Sequence, residues 1–383
     1  MRGALDHRGA NSGRWRIPVP GLTRHAILGL LLAGCYAAAQ PAAPSFDTLA
    51  QQARAARDAG QLDQAIAFYQ RALKINPNWD EGLWSLGNIA YDLDRYGECA
   101  PAFHHLAAVK PDSAPAWTMA GLCEYKLRRF EDAIESLTHA ENLKFNEPAE
   151  LARAGRLHLA LSLNRTGAFE RAITVLTELT RMQQKTPEIV VAAGIAGLRR
   201  PWLPAEVPQA SRELVFKLGD AMAAAMELDY KAGAAKFEAL LQQYPQEPNV
   251  HFRFGAFLAV QDSPRGIEEI KKAVELDPGH VPALVGLAVI YLKHEELDSA
   301  LEYGRRAVKA SPGDFSTHIA LGRVLLARED PAAAAAELES ATKLAPANPD
   351  AHFSLASAYS RLGRKADAAR ELGEFKRLEN LSK

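Results

Sequence analysis

The sequence predicts an all-α solenoid of about eight to nine helix-turn-helix repeats, interrupted near residues 187–210. The first observation is a period of 34 residues, which relates Tyr69, Phe103 and Leu137. Prolines recur at intervals of 33, 34 and 34 residues in the C-terminal half (Pro245, Pro278, Pro312 and Pro346). Hydrophobic residues make up 48% of the 383 residues and charged residues 24%, which is typical of an ordered protein. A fixed period of this length indicates helical pairs that stack on one another.

Each repeat is predicted to contain two helices that face one another. In the repeat that begins near residue 281, apolar residues at helical spacing occupy positions 4, 7, 8 and 11 of the first helix (Leu284, Leu287, Ala288 and Tyr291). Positions 20, 24 and 27 form the facing stripe of the second helix. A proline near position 32 ends that helix, because proline lacks the N–H group and clashes with the preceding turn. One pair leaves an apolar face uncovered, so consecutive pairs must stack.

Two segments carry a family resemblance. "LWSLGNIAYDLDRYGECAPAFHHLAAVKP" (83–111) and "LVGLAVIYLKHEELDSALEYGRRAVKASP" (284–312) resemble tetratricopeptide repeats. The resemblance covers nearly everything after residue 45, and it implies a right-handed α-solenoid whose concave groove binds peptides or partner proteins. We assign about four repeats to residues 40–186 and about five, the last with a capping helix, to residues 211–383.

The period fails over residues 187–210. A single helix is predicted for Glu188 to Leu198, after Pro187 at its first position. Three further prolines then forbid a regular second helix (Pro201, Pro204 and Pro208). This connector is predicted to divide the solenoid into two blocks. It could be a hinge or docking surface around Trp202 and Arg199–Arg200, or a stiff linker whose tryptophan packs on a neighbouring repeat. We favour the linker, because proline-rich connectors usually act as spacers.

The sequence contains no motif for chemistry, such as GxxxxGK[ST], HExxH or GxSxG. We therefore expect no enzyme activity, no cofactor and no metal. His251, His318 and His352 occupy position 4 of separate repeats, and we interpret them as packing residues. The net charge of −1 argues against a nucleic-acid partner. Cys99 and Cys123 lie on neighbouring predicted helices and could form a disulfide in an exported protein, which the sequence leaves open.

The resemblance places partner contacts on positions 2, 5, 9, 12 and 13 of each first helix, which would line the concave groove. Aromatic groups with polar neighbours on this stripe suit peptide recognition. The candidate groove residues are Trp84, Asn88 and Tyr91 in repeat two; Thr118, Leu122, Tyr125 and Lys126 in repeat three; and Arg323, Phe353 and Arg361 in repeats eight and nine.

An apolar segment near the N-terminus, Ala26 to Gly34, follows a basic stretch and is shorter than the roughly 20 residues that a membrane span requires. We assign residues 1–39 to an export signal and the start of a linker. "LAGC" resembles the bacterial lipobox, which predicts cleavage after residue 34 and a lipid on Cys35. "AAAQ" predicts instead cleavage before Gln40 and a soluble protein.

We therefore expect a non-enzymatic scaffold of the bacterial cell envelope that binds peptides or partner proteins in its groove. It would be periplasmic or anchored to the outer membrane as a lipoprotein, or alternatively secreted. Membrane contact is expected only through the lipid on Cys35. One alternative is an assembly lipoprotein for an outer-membrane or pilus-type complex. Another is an accessory subunit of a separately encoded enzyme.

Overall fold

The computed structural model describes residues 44–144, 149–182, 185–261 and 263–381. These residues, from Ser45 onward, form one compact unit. Their regular structure is entirely helical, in nineteen α-helices and two short 3-10 turns, so the predicted all-α solenoid is confirmed. None of the helices in these ranges combines the length and apolar character needed to cross a membrane. The predicted export signal and Cys35 lie outside the described residues.

The helices follow one another in chain order along the array. The first ten are α1 (Phe46–Asp58), α2 (Leu62–Ile75), α3 (Asp80–Asp92), α4 (Tyr96–Val109), α5 (Ala114–Lys126), α6 (Phe130–Asn142), α7 (Ala149–Arg165), α8 (Phe169–Met182), α9 (Pro187–Gly197) and α10 (Arg212–Met226). The remaining nine are α11 (Tyr230–Gln243), α12 (Pro248–Ala259), α13 (Pro264–Leu276), α14 (Val281–Lys293), α15 (Leu297–Ala310), α16 (Phe315–Ala327), α17 (Pro331–Leu344), α18 (Pro349–Arg361) and α19 (Lys365–Leu381).

Consecutive helices form nine pairs, four before α9 and five after it, and α9 stands between them. Eight of the nine turns inside a pair contain a described residue with positive φ, at the position where helices commonly end in the left-handed conformation. Gly60, Asp94 and Arg128 hold this position in the first three repeats, with φ of 71°, 57° and 61°. The turn is short, so the two helices of a pair fold back on each other directly.

A recurring hydrogen bond joins the end of four second helices to the next first helix. The ring N–H at position 4 donates to the carbonyl of the proline six residues earlier, at 3.0 Å in each case (Trp117 to Pro111, His251 to Pro245, His318 to Pro312 and His352 to Pro346). The other ring nitrogen of each histidine faces a carboxylate on its own second helix at 2.7–2.8 Å (Glu269, Glu337 and Glu371). These histidines are packing residues, as predicted, and they tie neighbouring repeats together.

The predicted boundary over residues 187–210 does not interrupt the hydrophobic core. One cluster of buried residues extends from Ala133 to Phe257 and includes Ile195 of α9 and Leu218 of α10. The residues predicted as two blocks therefore share a core, because α9 and α10 pack backbone to backbone across paired glycines. Trp202 packs against the same cluster, as the linker interpretation predicts.

The connector after α9 is also held by charge. Glu206 accepts hydrogen bonds from Arg128 at 2.7 Å and from Arg165 at 3.0 Å. The same carboxylate accepts from the backbone N–H of Leu203 at 3.1 Å, and Arg165 donates to the carbonyl of Pro201 at 2.8 Å. These hydrogen bonds attach the connector to repeats three and four. A segment held at several points is a fixed spacer, whereas a hinge would need to move.

Cys99 and Cys123 form a disulfide between α4 and α5. Their Cα atoms are 6.1 Å apart, within the range that a disulfide spans without moving the backbone. Both side chains are fully buried. The bond cross-links repeats two and three and answers the question that the sequence left open.

Candidate partner-binding groove

A large apolar cavity lies along the first helices of repeats six, seven and eight. Its volume is about 540 Å³, and α12, α14 and the start of α16 contribute most of its walls. Phe252, Val285 and Ile290 are among its apolar lining residues. Val260 is 74% exposed and Val289 is 46% exposed, so the cavity opens to solvent through apolar side chains. Exposed apolar surface of this kind commonly marks an interaction site.

Several of the lining residues occupy the stripe that the sequence predicted, in repeats six and seven, for which no candidates were proposed. Phe252 and Val285 hold position 5 of repeats six and seven, and Ala256 and Val289 hold position 9. Val260 holds position 13 of repeat six. The missed signal is that these positions are small or apolar in two successive repeats, whereas a helix surface that faces only water is usually polar.

A cluster of charges stands at one end of the groove. Glu170 of α8 accepts two hydrogen bonds from the buried guanidinium of Arg253, at 2.9 and 3.0 Å, and one from Arg199 at 2.7 Å. Partial desolvation opposes ionisation of Glu170, but Arg253 and then Arg199 outweigh it, so the pKa of this carboxyl lies below its usual range. The ion pair between Glu170 and Arg253 joins residues 83 positions apart in the chain, and it holds the groove wall in place across the connector.

His280 lies beside this cluster and is neutral. Burial first, and then the charge of Arg199, lower the pKa of His280 to about 4. Its Nδ1 accepts a hydrogen bond from the backbone N–H of Ala283 at 3.2 Å, which caps α14. Its Nε2 lies 3.2 Å from Oδ1 of Asn249 and donates to it. The neutral ring therefore sets the start of α14 and with it the position of Val285 and Val289.

The candidate residues of repeat two are half-buried and mainly pack on neighbours. The Trp84 ring meets the Phe103 ring edge-on, with centroids 5.4 Å apart. Asn88 donates to the backbone carbonyl of Trp84 at 2.9 Å. Tyr91 packs edge-on against Tyr96 at 5.6 Å. Each of the three keeps part of its surface exposed.

Two candidates of repeat three are not available to a partner. Thr118 is 1% exposed and Leu122 is 4% exposed. The reason is that α7 packs on this face of α5, so that Leu122 contacts the cluster to which α7 contributes and Thr118 lies under Gly155. Tyr125 stacks edge-on with His158 at 4.6 Å and is half-buried, while Lys126 remains exposed.

The candidates of repeats eight and nine also make contacts within the array. Arg323 donates to the Ser354 hydroxyl at 3.2 Å, and Arg361 donates to the backbone carbonyl of Leu326. Phe353 is exposed and packs against Phe375, with ring centroids 5.3 Å apart. The groove is formed by repeats six to eight, and all the predicted residues except Arg323 lie in repeats on either side of it. Arg323 belongs to repeat eight but does not line the cavity.

Three family models match the chain. The tetratricopeptide-repeat models "TPR repeat" and "Tetratricopeptide repeat" match residues 53–94 and 84–142. The model "Cilia and flagella-associated protein 70 middle TPR-like domain" matches residues 220–379. The chain belongs to the tetratricopeptide-repeat family. Repeats of this family form scaffolds for protein–protein interaction, which agrees with an open groove and no motif for chemistry.

Several solved structures are similar to this tetratricopeptide-repeat protein. MamA from Desulfovibrio magneticus RS-1 (residues 41 to the end) is 19% identical, with 43% of this chain and 93% of that chain covered and a TM-score of 0.39. Cut9–Hcn1, a hetero-tetramer of the APC/C, is 13% identical, with 88% of each chain covered and a TM-score of 0.39. No curated protein sequence matches the chain.

The ionisable groups beside the groove of this tetratricopeptide-repeat protein belong to its walls. Within the described ranges, no group of three His, Cys, Asp or Glu side chains is arranged to hold a metal ion. Glu170 and His280, whose pKa values are both lowered, form hydrogen bonds with neighbouring residues in the wall of the array. Their environment stabilises the position of the groove walls.

Proposed function

We propose that this protein is a non-enzymatic scaffold that binds an apolar segment of a partner protein in the groove of repeats six to eight. The observation that carries the proposal is the open cavity of about 540 Å³ lined by the same helix positions in successive repeats. Val260 and Val289 point into this space although they are largely exposed. Burial of each valine by a ligand would contribute about 1.5 kcal/mol.

The chemistry of the walls supports an apolar occupant with one polar end. Apolar side chains line the middle of the groove, and polar groups stand together at one side (Glu170, Arg199, Asp314 and Ser316). The charges of Glu170 and Arg199 already offset one another at 2.7 Å, so they do not select a strongly charged ligand. A segment with several aliphatic side chains and a polar terminus would complement both parts.

The proposal predicts that Val289→Asp weakens binding about tenfold or more, because the carboxylate would lie in the apolar contact surface. Peptides selected from a random 12-residue library on the full chain would be measured by calorimetry against wild type and variant. Val260→Asp tests the same groove from α12.

Leu344→Asp provides a matched control, because Leu344 is 45% exposed, as Val289 is 46%, and lies on the second helix of its repeat away from the cavity. It should bind as wild type does. Selected peptides without aliphatic residues, or equal affinity for Val289→Asp and wild type, would contradict the proposal.

We further propose that the scaffold works outside the cytoplasm, in the bacterial cell envelope. The disulfide between Cys99 and Cys123 supports this location, since disulfides persist in oxidising compartments and are rare in the cytosol. Mass spectrometry of the mature protein should find an N-terminus at lipid-modified Cys35 or at Gln40. An intact N-terminus at Met1 in the protein isolated from its native host would refute export by either signal.

A further inference from the structure

A second cavity lies away from the groove, between α4 and α6, with α5 at its base. Its volume is about 380 Å³. Its ionisable and aromatic lining residues are His104, Trp117, Glu124, Arg129, Asp132 and Glu135. Three carboxylates thus face one guanidinium and one imidazole, in a cavity to which no sequence motif pointed.

The carboxylate at the base of this cavity has a free oxygen. Glu124 is 3% exposed, and its Oε1 lies 2.6 Å from Nε2 of His104. Its Oε2 is buried and has no hydrogen-bond partner among the described residues. A buried carboxylate oxygen without a donor is costly, so a ligand that donates a hydrogen bond there would be stabilised.

The surrounding charges favour a cation. Asp132 and Glu135 stand at the exposed rim on α6, one helical turn apart. The hydrogen bond to Glu124 raises the pKa of His104 against the effect of burial, and the charges of Asp132 and Glu135 raise it further. The three carboxylates outnumber Arg129 and His104, so the cavity is net negative even when His104 is protonated, and it would attract a positively charged ligand.

We propose that this cavity binds the guanidinium group of an arginine side chain from a partner protein. A guanidinium presents five N–H donors in a planar fork, so it can pair with a rim carboxylate on one side and face the Glu124 carboxylate at the base of the cavity on the other. Trp117 supplies an aromatic wall, which favours a cation near its ring. A metal ion is disfavoured because no three potential ligands among the described residues are placed to coordinate one.

The disulfide fastens one wall of the cavity, α4, to its base, α5. Cys99 and His104 are both on α4, and Cys123 directly precedes Glu124 on α5. The bond therefore joins the two helices that carry the interacting histidine and carboxylate. This site is separate from the groove of repeats six to eight, and the proposal stands whether or not that groove binds an apolar segment.

The test is a titration of the full chain with N-acetyl-arginine amide, followed by the indole N–H resonance of Trp117. The resonance would be assigned with Trp117→Phe. We expect a saturable shift with the arginine compound and none with N-acetyl-citrulline amide, which has nearly the same shape without the charge. An equal response to citrulline, or no saturable shift with arginine, would overturn the proposal.

Titrations with a lysine compound and with divalent metal ions test whether the cavity is selective for a guanidinium. N-acetyl-lysine amide should bind at least severalfold more weakly, since an ammonium lacks the planar fork. Equal affinity for lysine would overturn the assignment to a guanidinium. Displacement of the arginine compound by magnesium or zinc at equal or lower concentration would identify a metal site instead.

Glu124→Gln and Asp132→Asn should each weaken arginine binding about tenfold, because each removes one charge-assisted interaction. Asp132 is exposed, so its replacement keeps the test valid even if Glu124→Gln disturbs folding. Glu131→Gln is the matched control, since Glu131 is an exposed acid on the same helix that does not line the cavity. Unchanged affinity in Asp132→Asn, or an equal loss in Glu131→Gln, would contradict the proposal.

Discussion

Replacing Gly194 with alanine is expected to lower the free energy of unfolding by about 3 kcal/mol or more, at the upper end of overpacking effects. A Cβ at this position would overlap the backbone carbonyl of Val215, and a Cβ at Gly219 would overlap that of Val190. Both obstacles are backbone atoms, so no change of rotamer relieves them and α9 must move away from α10. Urea denaturation followed by circular dichroism would measure the loss.

Gly373→Ala is the matched control for this prediction. Gly373 lies inside α19, and a Cβ there would meet no atom within 4 Å. Alanine should therefore stabilise this helix by about 0.5–1 kcal/mol, the usual gain over glycine. If Gly194→Ala were as stable as wild type, α9 and α10 would not be in backbone contact in solution.

The second large effect is expected from the disulfide. Replacing Cys99 and Cys123 together with serine should lower the free energy of unfolding by about 3 kcal/mol. The bond closes a loop with a sequence separation of 24 residues. A cross-link over a loop of this size lowers the conformational entropy of the unfolded chain, which stabilises the folded state by about 3 kcal/mol. The comparison requires urea denaturation of the oxidised wild type and of the double variant.

Reduction supplies the control for the disulfide. Dithiothreitol should destabilise the wild type by a similar amount and leave the double variant unchanged. Cys35→Ser should have no effect on the same measurement, since residue 35 precedes the helical array. Equal stability of the oxidised wild type and the double variant would show that the bond does not constrain the unfolded chain.

Most of the fold could be predicted from the sequence because each repeat is a local unit. The spacing of Leu284, Leu287 and Tyr291 defines one face of α14 without reference to distant residues. The helix after the fourth repeat was predicted from Pro187, and α9 begins at that residue with Thr186 as its cap. Helix boundaries of this kind depend on steric properties of proline and on capping, which act over a few residues.

The candidate site was less predictable. Positions 5 and 9 of the predicted stripe line the groove in repeats six and seven, but Thr118 on the same stripe is buried by α7. Val289 on the equivalent stripe of repeat seven is exposed, and the sequence offers no local difference that separates the two cases. Exposure of a stripe residue depends on how the following repeat packs, which is a relation between helices far apart in the chain.

The sequence by itself determined the repeat length, the order of the helices and the side of each helix that faces the core, because these follow from the spacing of apolar residues and prolines. Only the tertiary structure decided that a single core crosses the connector, that Cys99 meets Cys123, and that one Glu124 oxygen has no hydrogen-bond partner in the part of the chain that the structure describes. These features depend on distances between different repeats. Such distances are set by the sizes of the side chains that meet across an interface. They cannot be inferred from the spacing of residues within one repeat.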